Sequence, residues 1–136
     1  MNLFVYGTLT FPEIVFGLTH KTYRYESAIL PHHFVSSIEG VPYPGLVKLE
    51  DASAQGLLLY DVDTKAMEIL DVWETAEYTK QLVHVQSSQG IVEATVYLWA
   101  GSDISYHSWN REVFENSFLK LYLNNKIPRF LQTLDI

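Results

Sequence analysis

Asn2-Leu-Phe-Val-Tyr-Gly-Thr-Leu9 begins with an apolar run that stops at Gly7. Short apolar runs that end at a glycine are typical of buried β-strands. Pro12 and Glu13 then predict the start of a helix, because proline suits the first helical position and an acid suits the first turn. We expect this helix to be short and to end near Gly17.

The corner between this strand and this helix can present several backbone N–H groups in one direction. Such a concavity binds a carboxylate or a developing oxyanion, and Gly7 would let a ligand approach the backbone closely. An ordinary strand-turn-helix corner, in which the glycine serves only the turn, is the alternative interpretation.

The rest of the chain contains more strands than helices. A turn-rich loop, Gly40-Val-Pro-Tyr-Pro-Gly45, separates extended segments, and Ser87-Ser-Gln-Gly90 is typical of a hairpin turn. The predicted strands are residues 23–30, 33–38, 46–49, 56–60, 78–86 and 91–99.

Two further helices are predicted from capping residues and apolar periodicity. Asp63 is a suitable N-cap for a helix whose apolar stripe includes Leu70 and Trp73. A last helix is expected to begin after Ser108 as N-cap and to end at Asn124-Asn125, with a short tail beyond it. Because strands outnumber helices and do not alternate with them, the sequence predicts an α+β fold with a mostly antiparallel, barrel-like sheet.

The amino-acid composition limits the classes of protein to which the chain can belong. A chain of 136 residues, 48% hydrophobic, is expected to form one domain, residues 1–136. It has no cysteine, which excludes disulfides and thiolate catalysis. The net charge of −7 makes nucleic acid and anionic membranes poor partners. No apolar segment approaches the roughly 20 residues needed to span a bilayer, and the N-terminus has no basic signal-like region, so we expect a cytosolic protein.

Glu74 is a candidate acid/base at the end of the helix that follows Asp63. It comes directly after Trp73 of the apolar stripe, so its carboxylate can be partly desolvated, which raises its pKa towards neutrality. The negative partial charge at a helix C-terminus acts in the same direction. A solvated surface acid is the alternative. The adjacent His32 and His33 face opposite sides of a strand and cannot chelate one ion, so no metal site is predicted.

Three motifs in this order resemble the gamma-glutamylcyclotransferase-like family. They are Tyr6-Gly-Thr-Leu9, Tyr43-Pro-Gly-Leu46, and Leu70-Asp-x-x-Glu74 followed by Tyr78. Within the family the likeness is greatest to the gamma-glutamylamine cyclotransferases and the avirulence-induced plant proteins. It covers about residues 3–99 and includes a closing strand, Val96-Tyr-Leu-Trp99.

The resemblance implies a small β-barrel with flanking α-helices and a pocket at its mouth. It implies that the protein is a cyclotransferase acting on a small γ-glutamyl amine or amino-acid derivative. The reaction would close 5-oxoproline and expel the amine, without a metal or organic cofactor. Glu74 falls on the family's catalytic glutamate, and Tyr78, with Tyr97 behind it, is our candidate for a positioning hydroxyl. The glutamyl moiety would be bound by backbone amides of Tyr6, Gly7, Thr8 and Leu9.

Two positions depart from the family pattern. Thr10 stands where a basic residue is frequent, and Thr75 stands where a glycine often follows the catalytic glutamate. Two rival functions use the same site: γ-glutamyl removal from a biosynthetic intermediate, and a non-catalytic module that binds a small amino acid or amide. The sequence indicates neither the identity of the amine nor the oligomeric state.

Overall fold

Five strands close into a barrel in the computed structural model, which describes residues 1–134. Around the barrel each strand pairs with the next, and the last pairs again with the first. In that order the strands are β3 (Pro44–Leu59), β1 (Leu3–Val5), β5 (Gly90–Trp99), β4 (Tyr78–Ser87) and β2 (Tyr25–Ile38). A sixth strand, β6 (Ile104–Ser108), pairs with β2 outside the closed ring.

The sheet is mostly antiparallel, which confirms the predicted fold class. Among the strands of residues 1–134, only β1 and β5 run parallel, with Leu3 opposite Thr95 and Phe4 opposite Val96. The hairpin of β4 and β5 keeps an unbroken register from Tyr78 opposite Trp99 to Ser87 opposite Gly90, as the sequence predicted.

Helices flank the barrel, and the first two agree with the sequence. A 3₁₀ turn, Thr8–Thr10, precedes α1 (Pro12–Thr19), which extends two residues beyond Gly17. The second helix, α2 (Thr64–Glu74), is capped by the Asp63 side chain, which accepts a hydrogen bond from the Ala66 N–H at 3.2 Å. The remaining helical segments are α3 (Arg111–Ser117), α4 (Leu119–Leu121), a π-helical turn (Tyr122–Lys126) and α5 (Ile127–Leu134). Across residues 1–134, the helices are all too short or too polar to cross a bilayer.

The prediction of separate segments before residue 60 is wrong. Residues 23–30 and 33–38 are parts of β2, because the chain absorbs the break at Pro31 in a register shift, with His32 at a φ of 63°. In the same way, residues 46–49 and 56–60 mark the two ends of β3, which pairs with β2 along both.

The predicted bounds of the last helix are also wrong. Ser108 ends β6, and the N-cap is Asn110, whose side chain accepts a hydrogen bond from Val113 N–H at 3.1 Å. Asn124-Asn125 lies inside the π-helical turn, and α5 occupies the predicted tail. Pro128 directly follows the π-helical turn, in which Ile127 is still helical and its N–H donates to the Tyr122 carbonyl, so the widened turn lies immediately before the residue that lacks an N–H.

The opening strand is buried on both faces, which explains its unbroken apolar sequence. The Phe4 side chain packs inside the barrel with Leu58 and Val96. Leu3 and Val5 point the other way, into the layer between barrel and helices. Because full burial of one such side chain contributes about 1.5–3 kcal/mol, these three residues hold the Gly7 corner firmly against the barrel.

Candidate active site

A cavity with a volume of about 390 Å³ opens where the end of β1, the end of α2 and the C-terminal helices meet. The six site residues predicted from sequence all line it, together with the secondary candidate Tyr97. The C-terminal side is contributed by residues that the sequence argument did not select. The principal lining residues are Tyr6, Gly7, Thr8, Leu9, Tyr43, Pro44, Trp73, Glu74, Glu77, Tyr78, Tyr97, Tyr122, Lys126, Arg129 and Phe130.

Glu74 is the last residue of α2 and projects a partly buried carboxylate into this cavity. Among residues 1–134, the Glu74 side chain has no hydrogen-bond partner and no ion-pair partner. Desolvation raises the pKa of Glu74 to about 8. The direction agrees with the sequence argument, and a pKa near neutrality is what proton transfer at physiological pH requires.

Five tyrosines surround this carboxylate. Burial raises the pKa of each of their hydroxyls, and the negative charge of Glu74 raises it further, which places all five within its electrostatic reach. Keeping these phenols neutral preserves them as hydrogen-bonding groups instead of additional charges. The five are Tyr6, Tyr43, Tyr78, Tyr97 and Tyr122.

The hydroxyls of three of these tyrosines already donate hydrogen bonds to acceptors within the protein. Tyr6 donates to the Tyr97 carbonyl at 2.6 Å. Tyr78 donates to the Pro44 carbonyl at 2.7 Å, and Tyr97 donates to Asp71 Oδ1 at 2.6 Å. The Tyr78 hydroxyl can therefore position a ligand only by accepting a hydrogen bond, unless it releases Pro44.

The Gly7 corner forms another part of the cavity wall. Thr10 fixes it, because both its N–H and its hydroxyl donate to the Gly7 carbonyl, at 3.0 and 2.6 Å. In the part of the chain that the structure describes, the N–H groups of Gly7, Thr8 and Leu9 have no hydrogen-bond acceptor. The sequence predicted that these three N–H groups, together with that of Tyr6, bind the glutamyl moiety, and this role stays a prediction.

The space beside Gly7 belongs to Pro44. A Cβ atom at residue 7 would lie 2.6 Å from Pro44 Cγ and 2.8 Å from Pro44 Cδ, both far inside contact distance. The sequence argument attributed this glycine to close approach of a ligand; the structure shows that it admits the proline ring. The contact draws the Tyr43-Pro-Gly-Leu46 segment onto the corner and so forms part of the cavity wall.

Thr75 adopts a backbone conformation that normally requires glycine. Its φ is 66° and its ψ is −176°, in a region that costs a side-chain-bearing residue about 1–3 kcal/mol. Its N–H donates to the Asp71 carbonyl at 3.2 Å, and its hydroxyl accepts from the Glu77 N–H at 3.3 Å. The chain thus turns sharply after Glu74, which leaves that carboxylate at the free end of α2.

Thr10, the other departure from the family pattern, lies away from the Glu74 cavity. Its buried hydroxyl accepts a hydrogen bond from Arg111 Nε at 2.8 Å, and its carbonyl accepts one from the same guanidinium at 3.2 Å. That guanidinium stacks over the Phe11 ring at 3.8 Å. The threonine therefore ties the Gly7 corner to the start of α3 and contributes no group to the cavity.

The sequence argument missed the C-terminal wall of the cavity. Trp73 packs edge-on against Phe130, with ring centroids 5.1 Å apart, and against Tyr122 at 6.0 Å. Lys126 completes this wall. Tyr122 is also a buried core residue, and no sequence signal showed that the chain beyond Asn125 folds back as a helix.

Replacement of Glu74 by Gln is expected to remove a pH-dependent loss of stability. Between the free pKa of about 4.3 and the folded pKa of about 8, the native protein binds more protons than the unfolded chain. Glu74 therefore lowers stability progressively as pH rises across that window. Glutamine does not titrate, so the variant should match the native protein near pH 4 and exceed it by on the order of 2 kcal/mol above pH 8.

Thermal unfolding of both proteins from pH 4 to 9 tests this expectation. A variant that is clearly less stable than the native protein at pH 7 to 9 would mean that the Glu74 carboxylate stabilises the fold through contacts.

The comparisons with known proteins agree with this architecture. A family model described as "Gamma-glutamyl cyclotransferase, AIG2-like" matches residues 3–111. The chain belongs to this family. The match includes Glu74, the Gly7 corner and every strand, and it ends at Arg111, before the rest of the C-terminal wall.

The chain is similar to individual plant proteins of this family. It is 28% identical over 127 residues to AIG2-like protein D of Arabidopsis thaliana, covering 90% of this chain and 84% of that protein. The solution structure of another Arabidopsis thaliana protein superposes with a TM-score of 0.71 at 24% identity, covering 99% of this chain and 93% of that one. A structure named gamma-glutamyl cyclotransferase gives a TM-score of 0.61 at 13% identity, covering 94% and 86% of the two chains, which shows a shared fold.

Proposed function

We propose that the chain is a γ-glutamyl cyclotransferase that releases 5-oxoproline and a free amine from a small γ-glutamyl amine or amino-acid derivative. The observation that carries the proposal is the Glu74 carboxylate, unpaired within residues 1–134 and with a pKa of about 8, in a cavity that also contains the Gly7 corner. Family membership and the neighbouring cyclotransferase fold support the same reaction. A cytosolic location is part of the proposal.

Glu74 acts first as a base and then as an acid. It takes a proton from the substrate α-ammonium, and the neutral amine then attacks the γ-carbonyl carbon to form the five-membered ring. When the tetrahedral intermediate collapses, the bond between the γ-carbon and the departing nitrogen breaks, and that nitrogen receives the proton held by Glu74. The ring nitrogen loses a second proton as the lactam forms, so that over the whole reaction two protons pass from the α-ammonium to the departing amine, which leaves as an ammonium. No water is consumed, and the ammonium of the bound substrate would itself lower the pKa of Glu74 and favour the charged base.

The Gly7 corner supplies binding and charge stabilisation. The free N–H groups of Gly7, Thr8 and Leu9 are suited to an anionic oxygen, either of the substrate α-carboxylate or of the tetrahedral intermediate. Holding the substrate in one reactive conformer favours an intramolecular closure, because the ring forms without a bimolecular encounter. This chemistry needs a proton-transfer group, a fixed orientation of the substrate and N–H donors for its anionic oxygen. The proposal therefore includes no metal or organic cofactor.

The direct test is incubation with a panel of γ-glutamyl compounds and quantification of 5-oxoproline. We expect equimolar 5-oxoproline and free amine from at least one compound. Release of glutamate in place of 5-oxoproline would instead establish hydrolytic γ-glutamyl removal. Saturable binding with neither product would establish a binding module on this fold.

A further inference from the structure

Lys126 gives the cavity wall a positive charge. It ends the π-helical turn that begins at Tyr122, and its Nζ donates to the Tyr122 hydroxyl at 3.1 Å. The same ammonium lies over three aromatic rings, 4.4 Å from the centroid of Tyr122, 5.6 Å from Tyr43 and 5.7 Å from Trp73. Such contacts hold the cation over the rings with one hydrogen bond made and its other two N–H donors available.

No carboxylate within residues 1–134 neutralises this charge. Neither Lys126 nor Arg129, one helical turn further along the same wall, forms an ion pair with a described residue. Of the acids that line the cavity, Glu77 accepts a hydrogen bond from Tyr43 at 3.1 Å, and Glu74 is not within 4.0 Å of Lys126. The cations and Glu74 therefore occupy different parts of one cavity.

Partial burial lowers the pKa of Lys126, which shows that the ammonium has lost part of its hydration. In a chain of net charge −7, an unneutralised and partly dehydrated cation on a cavity wall is well placed to attract an anionic ligand group.

We propose that Lys126 determines specificity by binding a carboxylate on the departing amine, so that the preferred substrates are γ-glutamyl derivatives of α-amino acids. This inference rests on the proposed function, because it assigns the end of the substrate that leaves. Trp73 and Phe130 form an aromatic surface next to the cation, which suits an apolar amino-acid side chain. Lys126 lies beyond residue 111, where the family match ends.

The test compares three γ-glutamyl substrates with departing amines of similar length. γ-Glutamyl-leucine carries the carboxylate, γ-glutamyl-isopentylamine lacks it, and γ-glutamyl-cadaverine carries a cation. For the native protein we expect kcat/KM to decrease in that order. Preference for the cationic compound would overturn the proposal, because it would make Glu77 the group that selects the amine.

Lys126→Met removes the charge and keeps a long side chain over the rings. We expect it to lower the ratio of kcat/KM for γ-glutamyl-leucine to that for γ-glutamyl-isopentylamine by about fivefold or more, the effect of roughly 1 kcal/mol for a partly solvated ion pair. Lys120→Met is the matched control, because Lys120 is an exposed lysine of α4 that does not line the cavity. An unchanged ratio in folded Lys126→Met, or an equal decrease in Lys120→Met, would refute the assignment.

A binding measurement separates this inference from the proposed reaction. N-Glutaryl-leucine has no α-amine and cannot close to 5-oxoproline, so calorimetric titration reports binding whether or not the protein is a cyclotransferase. We expect Lys126→Met to weaken its binding about fivefold or more and to leave N-glutaryl-isopentylamide less affected. If no γ-glutamyl substrate reacts but this difference is found, only the reaction fails. If N-glutaryl-leucine does not bind the native protein, or binds both proteins equally, the role of Lys126 fails.

Discussion

Glu74→Gln is expected to lower 5-oxoproline release by roughly 10²–10⁴-fold, the usual contribution of a positioned proton-transfer group. Glutamine preserves the size of the side chain and loses the ability to exchange a proton with the substrate amine. Because desolvation raises the pKa of Glu74 to about 8, kcat/KM of the native protein should also rise with pH towards that value, as the carboxylate ionises.

Glu77→Gln is the matched control for this prediction. Glu77 is an exposed acid that lines the same cavity, but its carboxylate already accepts a hydrogen bond from Tyr43. We expect it to change turnover by less than tenfold. Near-normal turnover in folded Glu74→Gln would reject Glu74 as the acid/base, and an equal loss in Glu77→Gln would show that the cavity depends on its total negative charge.

The sequence predicted best those features that arise from local patterns. The apolar run before Gly7, the Asp63 cap and the hairpin of β4 and β5 each depend on neighbouring residues, and the structure has all three. The position of Glu74 at the end of α2 follows from the same cap and stripe. These features were enough to predict a raised pKa for that carboxylate.

Features that depend on contacts between distant segments could not be predicted in the same way. The continuity of β2 past Pro31 results from pairing with β3, which outweighs the local break. The folding of α5 onto Trp73 depends on aromatic contacts with Tyr122 and Phe130 across about fifty residues of sequence. The C-terminal wall of the cavity, and Lys126 with it, was therefore absent from the sequence-based site.

Gly7 is a residue for which the sequence and the structure give different reasons. The sequence argument needed a glycine at the corner because a ligand would approach the backbone there. The structure assigns that space to the ring of Pro44, a residue 37 positions away. The two explanations predict different responses to substitution, so they can be separated experimentally.

Gly7→Ala is expected to destabilise the fold by about 1–3 kcal/mol and to lower turnover at least tenfold, because its Cβ would overlap Pro44 Cγ and Cδ. Pro44→Ala removes those two atoms and keeps the backbone carbonyl that accepts the Tyr78 hydrogen bond. If packing of Pro44 is the reason for the glycine, the double variant should recover most of the stability lost in Gly7→Ala. If ligand approach is the reason, stability should be nearly unchanged in Gly7→Ala, and Pro44→Ala should not restore activity.

Gly17→Ala is the control, since a Cβ there would meet Ile127 only at an ordinary contact distance of 3.5 Å. Alanine in the interior of α1 should leave stability unchanged or raise it by up to about 1 kcal/mol. Thermal unfolding of the five proteins, followed by 5-oxoproline assays of those that fold, gives a double-mutant cycle for the Gly7–Pro44 contact. A coupling energy near zero, with Gly7→Ala as stable as the native protein, would mean that the Pro44 ring moves aside without cost, and the corner would then be available to a ligand as the sequence first suggested.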